Sequence, residues 1–506
     1  METIATTFSH LMDGFAIAGS LGNLWYCTIG VSFGMLVGVL PGLGPTAGTA
    51  LLLTLTYSLS PASAIIMLSG IYYGAMYGGT ITSVLINTPG ENASVITCLD
   101  GYPMAKQGRA GVALGVSAIG SFFGGLFSLF CLILVGPTLS KYALNFGPPE
   151  FFCLMLMGLV LIISLLGKSI IKGLIAALLG LMVSMIGVDP LNGTLRYTFG
   201  TPDLMSGIEF VAVSVGIFAM TEIFANMAED LTIKKVFPKI GGMMPRKDEW
   251  PYVSKAIARG SVIGALLGLV PGCNSAISTV VGYSTEKKLS KRPELFGNGA
   301  IEGITVAETA NNAFSGSTVI PMFTLGLPTS PTMAVLMSAF MMHGIAPGPT
   351  LMSKNPEVVW PVIASMFIGN VILVIMNLPL ARVWAQISRI PGKYLFPGIV
   401  IISFLGVFCL SNSMFDVQIM IFAGLIAYFV KMAGFPMIPF IITFILGDRI
   451  EMTLGQSLIM FRGSLTPFFN RPICVALIII MAITIVFGVI SKAKIKATVG
   501  DEESEM

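Results

Sequence analysis

Four short stretches of this sequence set proline and glycine beside small hydroxyl or amide residues, inside runs that are otherwise apolar. They are Pro41-Gly42-Leu43-Gly44-Pro45-Thr46, Asn87-Thr88-Pro89-Gly90-Glu91-Asn92, Pro271-Gly272-Cys273-Asn274-Ser275 and Gly326-Leu327-Pro328-Thr329-Ser330-Pro331. Proline and glycine interrupt a helix, and a neighbouring Ser, Thr or Asn caps the start of the next one. Ser330-Pro331 reads as an N-cap followed by proline at the first helical position. Thr46 after Pro45, and Asn274 or Ser275 after Gly272, open half-helices in the same way. A helix start offers unpaired N–H groups and a partial positive charge, which suit a carboxylate where no Arg or Lys is at hand. Opposing half-helix ends and unwound carbonyls suit Na+. The candidate substrate-binding residues are therefore Pro41, Gly42, Gly44, Pro45, Thr46, Asn87, Thr88, Pro89, Gly90, Gly272, Asn274, Ser275, Pro328, Thr329 and Ser330. One Pro-Gly pair alone is more often a plain kink; four breaks in two related pairs point to a site.

Glu308 is the only charged residue between Gly303 and Ser353. Asn311 and Asn312 follow at i+3 and i+4, on the same helix face. An intramembrane carboxylate is a functional candidate, so these three are the expected ion-coupling residues, with Na+ or H+ as the ion. The competing reading makes Glu308 an interfacial residue near the Glu302 end of its helix. Other chemistry finds little support. A hydrolase needs paired acids or a nucleophile with a base. The stretch from Gly14 to Gly90 has no acid, and His10 and His343 are the only histidines. Seven cysteines stand singly with no CxxC pair, which suits small core residues rather than a disulfide frame or a metal site. No cofactor is expected beyond the coupling ion.

The elements that hold these residues belong in a bilayer. Of the 506 residues 55% are hydrophobic and only 10% charged, and the mean hydropathy is +0.87, values that mark a polytopic membrane protein. Basic residues gather between Glu229 and Arg259, at Lys234, Lys235, Lys239, Arg246, Lys247, Lys255 and Arg259. By the positive-inside rule that loop is cytoplasmic. Glu229, Asp230, Asp248 and Glu249 are interspersed there, which argues against a nucleic-acid patch.

The chain repeats itself about that loop. Gly34-xxx-Gly38-xx-Pro41-Gly42 recurs as Gly264-xxx-Gly268-xx-Pro271-Gly272, and "NTPGE" at Asn87 answers to "LGLPTS" at Leu325. The turn from Thr54 to Pro61 has no basic residue, while its counterpart has Lys287, Lys288, Lys291 and Arg292. Such a swap of charge between copies is what inverted topology requires. Arg259 and Lys287 then share the cytoplasmic side, with too few residues between them for two spans. Gly260 to Ser284 is expected to be a re-entrant hairpin, and Ile29 to Tyr57 its mirror image, with the two tips meeting. The expected fold is an all-α polytopic membrane protein of two inverted-topology repeats with re-entrant hairpins and broken helices, in roughly 10–12 spans. Residues 12–228 form the first repeat, 229–259 a cytoplasmic basic linker, 260–470 the second repeat, and 471–506 a C-terminal span with a short charged tail.

The motifs GxxxGxLPGLGP at Gly34 to Pro45, YGGTITSVLINTPGE at Tyr77 to Glu91, DGYPMAKQG at Asp100 to Gly108 and ETANNAFSGSTVIPMFTLGLP at Glu308 to Pro328 closely resemble the large membrane subunit, TctA, of the tripartite tricarboxylate transporters. The resemblance covers nearly the whole chain. It implies a bacterial inner-membrane permease for tricarboxylates such as citrate, dicarboxylates or related organic acids, driven by an ion gradient. The implied partners are a small membrane subunit (TctB-like) and a periplasmic solute-binding protein (TctC-like). Thr329 departs from the glycine that often follows this proline in the family. Two rival functions are a fixed pore, which normally builds its path from several subunits, and an intramembrane hydrolase, for which no catalytic constellation is visible.

Overall fold

The computed structural model describes residues 2–40, 44–166, 169–227, 240–387 and 392–486. Its first half runs α1 (Glu2–Ala18), α2 (Leu21–Val39), α3 (Gly44–Leu53), α4 (Pro61–Ile86), α5 (Val95–Met104), α6 (Ala110–Ala143), α7 (Pro148–Leu166), α8 (Ile170–Ser184), α9 (Phe210–Val215) and α10 (Thr221–Met227). The second half runs α11 (Trp250–Gly268), α12 (Ser275–Leu289), α13 (Ile301–Ser317), α14 (Val319–Leu325), α15 (Pro331–Met342), α16 (Leu351–Lys354), α17 (Pro356–Asn377), α18 (Ala381–Ile387), α19 (Gly392–Ser411), α20 (Met414–Met432), α21 (Met437–Met460) and α22 (Thr466–Asn470). Among the described residues the strands are Gly187–Val188 and Leu195–Arg196, paired antiparallel. The helical runs Leu21–Val39, Pro61–Ile86, Asn92–Ala143, Pro356–Asn377 and Met414–Met432 are long and apolar enough to cross a bilayer. Shorter apolar helices, α8 and α15 among them, accompany these five. The chain is an all-α polytopic membrane protein.

Two helices form its buried axis, α13 along its whole length and α4 from Ser63 to Leu85. In lipid the hydrophobic effect does not drive helices together, so they associate where small residues let backbones approach. Gly30, Gly34 and Gly38 stand one turn apart on α2. A Cβ on any of them would collide with the carbonyl oxygen of Met67, Ile71 or Ala75 on α4. Gly260, Gly264 and Gly268 on α11 stand against Val306, Ala310 and Phe314 of α13 in the same manner. α11 starts at Trp250, inside the stretch read as a linker. Lys234, Lys235 and Lys239 lie outside the described residues.

Contacts between the two halves also come in matched pairs. α6 packs on α13 with Gly120 and Gly124 against Thr305 and Thr309, and α17 packs on α4 with Gly369 against the Tyr73 ring. α8 packs on α21 through Gly180 and Gly447, while α20 packs on α9 and α10 through Gly424 and Gly216.

The unwound stretches downstream of α4 and α14 begin and end with matching backbone dihedrals. α4 is capped by Asn87 at φ 53° and ψ 36°, and α14 by Gly326 at φ 69° and ψ 28°. Four residues later, Glu91 at φ −142° and ψ 168° and Ser330 at φ −145° and ψ 165° begin the next helical turn.

A buried carboxylate fixes how α13 begins. Asp100 on α5 accepts the N–H groups of Gly297, Gly299 and Ala300 at 2.8, 2.8 and 2.9 Å on one oxygen, and the Tyr283 hydroxyl at 2.9 Å on the other. Three donors ahead of α13 that would otherwise be orphaned are thereby satisfied.

Candidate functional site

Pro41 and Gly42 lie outside the described residues. Gly44 opens α3 with φ 45°, and the carbonyl of Pro45 accepts the Thr49 hydroxyl at 2.8 Å. Thr46, in the first turn of α3, shares a 2.8 Å hydrogen bond with Thr332 in the first turn of α15. Two half-helix starts from opposite halves of the chain thus meet.

In the second hairpin Gly272 has φ 85°, and a Cβ there would strike the backbone of Leu161 and Ile162 on α7. Positive φ and close approach both demand glycine. Its N–H points to the carbonyl of Thr329, 3.5 Å away. Asn274 caps α12 by accepting the Ile277 N–H at 2.8 Å, and Ser275 is the first residue of that helix. Ser330 caps α15 through the Met333 N–H at 3.3 Å, with Pro331 at the first helical position. Pro328 and Thr329 lie in the unwound stretch before it, and Thr329 is buried with no partner for its hydroxyl among the described residues.

In the break after α4 the candidate residues precede the new helical turn. Asn87 and Thr88 close α4; the next turn opens only at Glu91, which donates its N–H to Ser94 Oγ at 3.3 Å. Pro89 and Gly90 lie between. Gly90 is wedged against Gly38 of α2 and Gly79 of α4, so its role there is close approach. The breaks are joined to one another: Gly38 meets Gly90, Thr46 meets Thr332, Gly272 meets Thr329, and α12 packs on the turn Asn92–Ser94. Among the described residues they form one connected locus.

Glu308, Asn311 and Asn312 project from α13 into the protein, with exposures of 1%, 1% and 2%. The Glu308 carboxylate accepts the hydroxyls of Thr97 on α5 at 2.5 Å and Ser121 on α6 at 3.5 Å. Asn312 donates to Ser121 Oγ at 2.7 Å. Asn311 donates from one nitrogen to the Glu91 carboxylate at 2.9 Å and to the carbonyl of Met76 at 3.2 Å. Glu91 is itself buried. Asn312 also lines a cleft of about 20 Å³, together with Tyr72, Tyr77, Ser128, Ser315 and Asn370. It has room for about one water molecule.

Sequence reasoning did not single out Glu91, Thr97, Ser121 or Arg449. Glu91 had a signal, because it is the first charged residue after the uncharged stretch from Gly14 and directly follows Pro89-Gly90. Thr97 and Ser121 had none, since lone hydroxyls are common in apolar helices. Arg449 on α21 donates to the carbonyl of Pro347 at 3.0 Å and stands beside Gly326. The second break therefore has a guanidinium nearby, although its own segment has no basic residue.

The sequence profile of the tripartite tricarboxylate transporter TctA family matches residues 24–442. An uncharacterized 52.8 kDa protein from the TAR-I ttuC′ 3′ region of Agrobacterium vitis is 41% identical over 488 residues, spanning 96% of this chain and 97% of the relative. A second uncharacterized protein, from the TAR-II ttuC′ 3′ region of the same organism, is 39% identical over 233 residues, 46% of this chain and 96% of the relative. No solved structure matches the chain. The helical membrane architecture, the locus of broken helices and the match over most of its length place this chain in the tripartite tricarboxylate transporter TctA family.

Proposed function

We propose that the chain is the permease subunit of a secondary-active, ion-coupled uptake system for tricarboxylates, dicarboxylates or related organic acids. It works in the bacterial inner membrane with a small membrane subunit and a periplasmic solute-binding protein. The observation that carries this reading is the joining of the helix breaks into one locus, with matched backbone at Asn87 and Gly326 and at Glu91 and Ser330. The starts of α3, α12 and α15 orient the substrate's carboxylates, helped by Thr46, Asn274, Ser275, Thr329 and Ser330. Each helix start contributes roughly 0.3–2 kcal/mol, so the anion is held weakly by them alone. Delivery by a binding protein offsets that weakness, and a co-bound cation adds positive charge. Na+ is the proposed coupling ion, at Glu308, Asn311 and Asn312. Two inverted repeats, 12–228 and 260–470, move this locus between the two sides by alternating access.

The test is uptake of a panel of labelled organic acids into proteoliposomes containing the three subunits, with and without an inward Na+ gradient. The expected result is gradient-driven accumulation of one class of acid, and counterflow stimulated by unlabelled substrate on the far side. Equilibration without counterflow would make the protein a pore.

A further inference from the structure

We propose that Glu91 and Glu308 together form a single Na+ site, completed by the side-chain oxygens of Asn311 and Thr80, and that its occupancy fixes the Asn87–Gly90 break in place. This deepens the ion-coupled reading and rests on it.

The first argument is charge. Glu91 and Glu308 are both buried, and Glu91 is held by Asn311, one turn along α13 from Glu308. Among the described residues neither takes part in an ion pair, while Glu150, Glu249, Glu286, Glu302 and Glu451 all do. Two carboxylates withdrawn from water without a counter-charge cost several kcal/mol each. A cation between them removes much of that cost.

The second argument is the kind of hydrogen-bonding capacity left over. Glu308 already accepts from Thr97 and Ser121, and Glu91 from Asn311. The Asn311 amide nitrogen faces two acceptors, Glu91 and the Met76 carbonyl, which fixes the orientation of the amide. Its oxygen is consequently the atom left without a partner, buried at 1% exposure. Thr80 Oγ1 is likewise buried, faces the Glu308 carboxylate and makes no well-formed hydrogen bond among the described residues. Both atoms have lone pairs to offer. Unmet acceptors beside uncompensated carboxylates call for a hard cation with oxygen ligands.

The third argument is mechanical. Glu91 is the residue at which the unwound stretch from Asn87 turns back into helix, and Gly90 before it is wedged against Gly38 at the end of α2. A cation shared by Glu91 and Glu308 pins that stretch to α13. Without it, the repulsion between the carboxylates loosens Glu91 and with it the Gly38–Gly90 contact beside the first hairpin tip. Ion occupancy is thereby linked to the geometry of the substrate locus.

The test is Na+ binding by the purified full-length chain with no organic acid present, read by radiolabelled Na+ and by the unfolding midpoint in NaCl against choline chloride. Wild type should bind Na+ saturably and gain thermal stability from it. Glu91→Gln and Glu308→Gln should each weaken binding at least about tenfold. Thr80→Val keeps the shape of the side chain and removes the hydroxyl that faces Glu308, and it should lower Na+ affinity severalfold. Absence of saturable binding in wild type, or wild-type affinity in Glu91→Gln or in Thr80→Val, overturns the site. Na+ binding that responds to these variants, in a protein that accumulates no organic acid, leaves the site standing and removes the permease reading instead. Na+-driven uptake with binding indifferent to the variants does the reverse.

Discussion

The breaks at Asn87–Glu91 and Gly326–Ser330 begin and end with the same backbone dihedrals and finish in different chemistry. Both leave a helix through a left-handed residue, pass a proline at the third position, and re-enter helix from extended backbone. The first ends in a carboxylate, Glu91, held by Asn311 of α13. The second ends in a hydroxyl, Ser330, which caps the twelve-residue helix α15. Where the first offers negative charge, the second offers N–H groups. Duplicated backbone can thus supply one place for a cation and another for an anion, the difference resting on one or two side chains.

The largest effect is expected one residue before those ends, where Gly90 corresponds to Thr329. A Cβ at position 90 would strike the carbonyl of Gly38 and the Cα of Gly79, both backbone atoms that cannot step aside. Thr329 is already accommodated. Gly90→Thr is expected to overpack the α2–α4 contact by about 1–3 kcal/mol or more, with loss of most folded protein. Thr329→Gly should fold. Extraction yield and monodispersity on size-exclusion chromatography measure both, and equal yields would mean that the first break is no tighter than the second.

Next in size is the exchange of chemistry itself. Glu91→Ser gives the first break the final residue of the second. The protein is expected to fold, because the hydrogen bond between the residue-91 N–H and Ser94 Oγ is made by the backbone. Ion-driven uptake should fall at least about tenfold, since the site loses half its charge. Uptake measured against Na+ concentration decides it, and an unaltered Na+ requirement would restore the view that the two breaks are chemically equivalent.

How much of this could be read from the chain follows from the same comparison. Helix breaks are written in proline, glycine and capping residues, so Ser330-Pro331 and Asn274 were legible as helix starts. The glycine spacing at Gly34 and Gly38, and again at Gly264 and Gly268, was legible as a repeat, while the α2–α4 and α11–α13 contacts it makes emerge only from the fold. The start at Glu91 was not assigned to a residue, although the break from Asn87 to Asn92 was legible. Asparagine suits a left-handed C-cap as well as an N-cap, and local sequence does not separate the two. The partners of Glu308 were not legible, because Thr97 and Ser121 reach it from other helices. Such contacts are decided by packing over sequence separations of 211 and 187 residues. Arg449 was hidden for the same reason, brought to Gly326 by the fold alone.

A smaller effect should separate capping from anion binding at Ser330. Ser330→Ala removes the cap of α15 and is expected to cost about 1 kcal/mol of stability and severalfold in substrate affinity. Ser330→Asp keeps a capping oxygen but places negative charge where the carboxylate is proposed to lie. Stability should then stay near wild type while affinity falls further than in the alanine variant. Midpoint shifts and substrate competition, measured on the same preparations, test the pair; equal affinity in the two variants would take the anion away from α15.

The smallest effect belongs to the first residue of the first break. Asn87 sits at φ 53° with its N–H donated to the Thr82 carbonyl, a C-cap geometry that glycine adopts without strain and without losing the bond. Asn87→Gly should therefore change stability by only a few tenths of a kcal/mol, the gain from relieving left-handed strain opposing the loss of chain entropy. Its amide was among the candidate substrate ligands, and uptake carries the sharper reading. A residue that serves only to turn the chain predicts unchanged affinity for the organic acid, whereas a ligand predicts a loss of severalfold or more. The reciprocal Gly326→Asn is not neutral, although its φ of 69° suits asparagine, because a Cβ there would come within 2.8 Å of the Pro347 carbonyl and 3.2 Å of Arg449 Nη1. A tolerant Asn87→Gly beside an intolerant Gly326→Asn would show that the matched dihedrals are inherited backbone, and that each half has since been fitted to different surroundings.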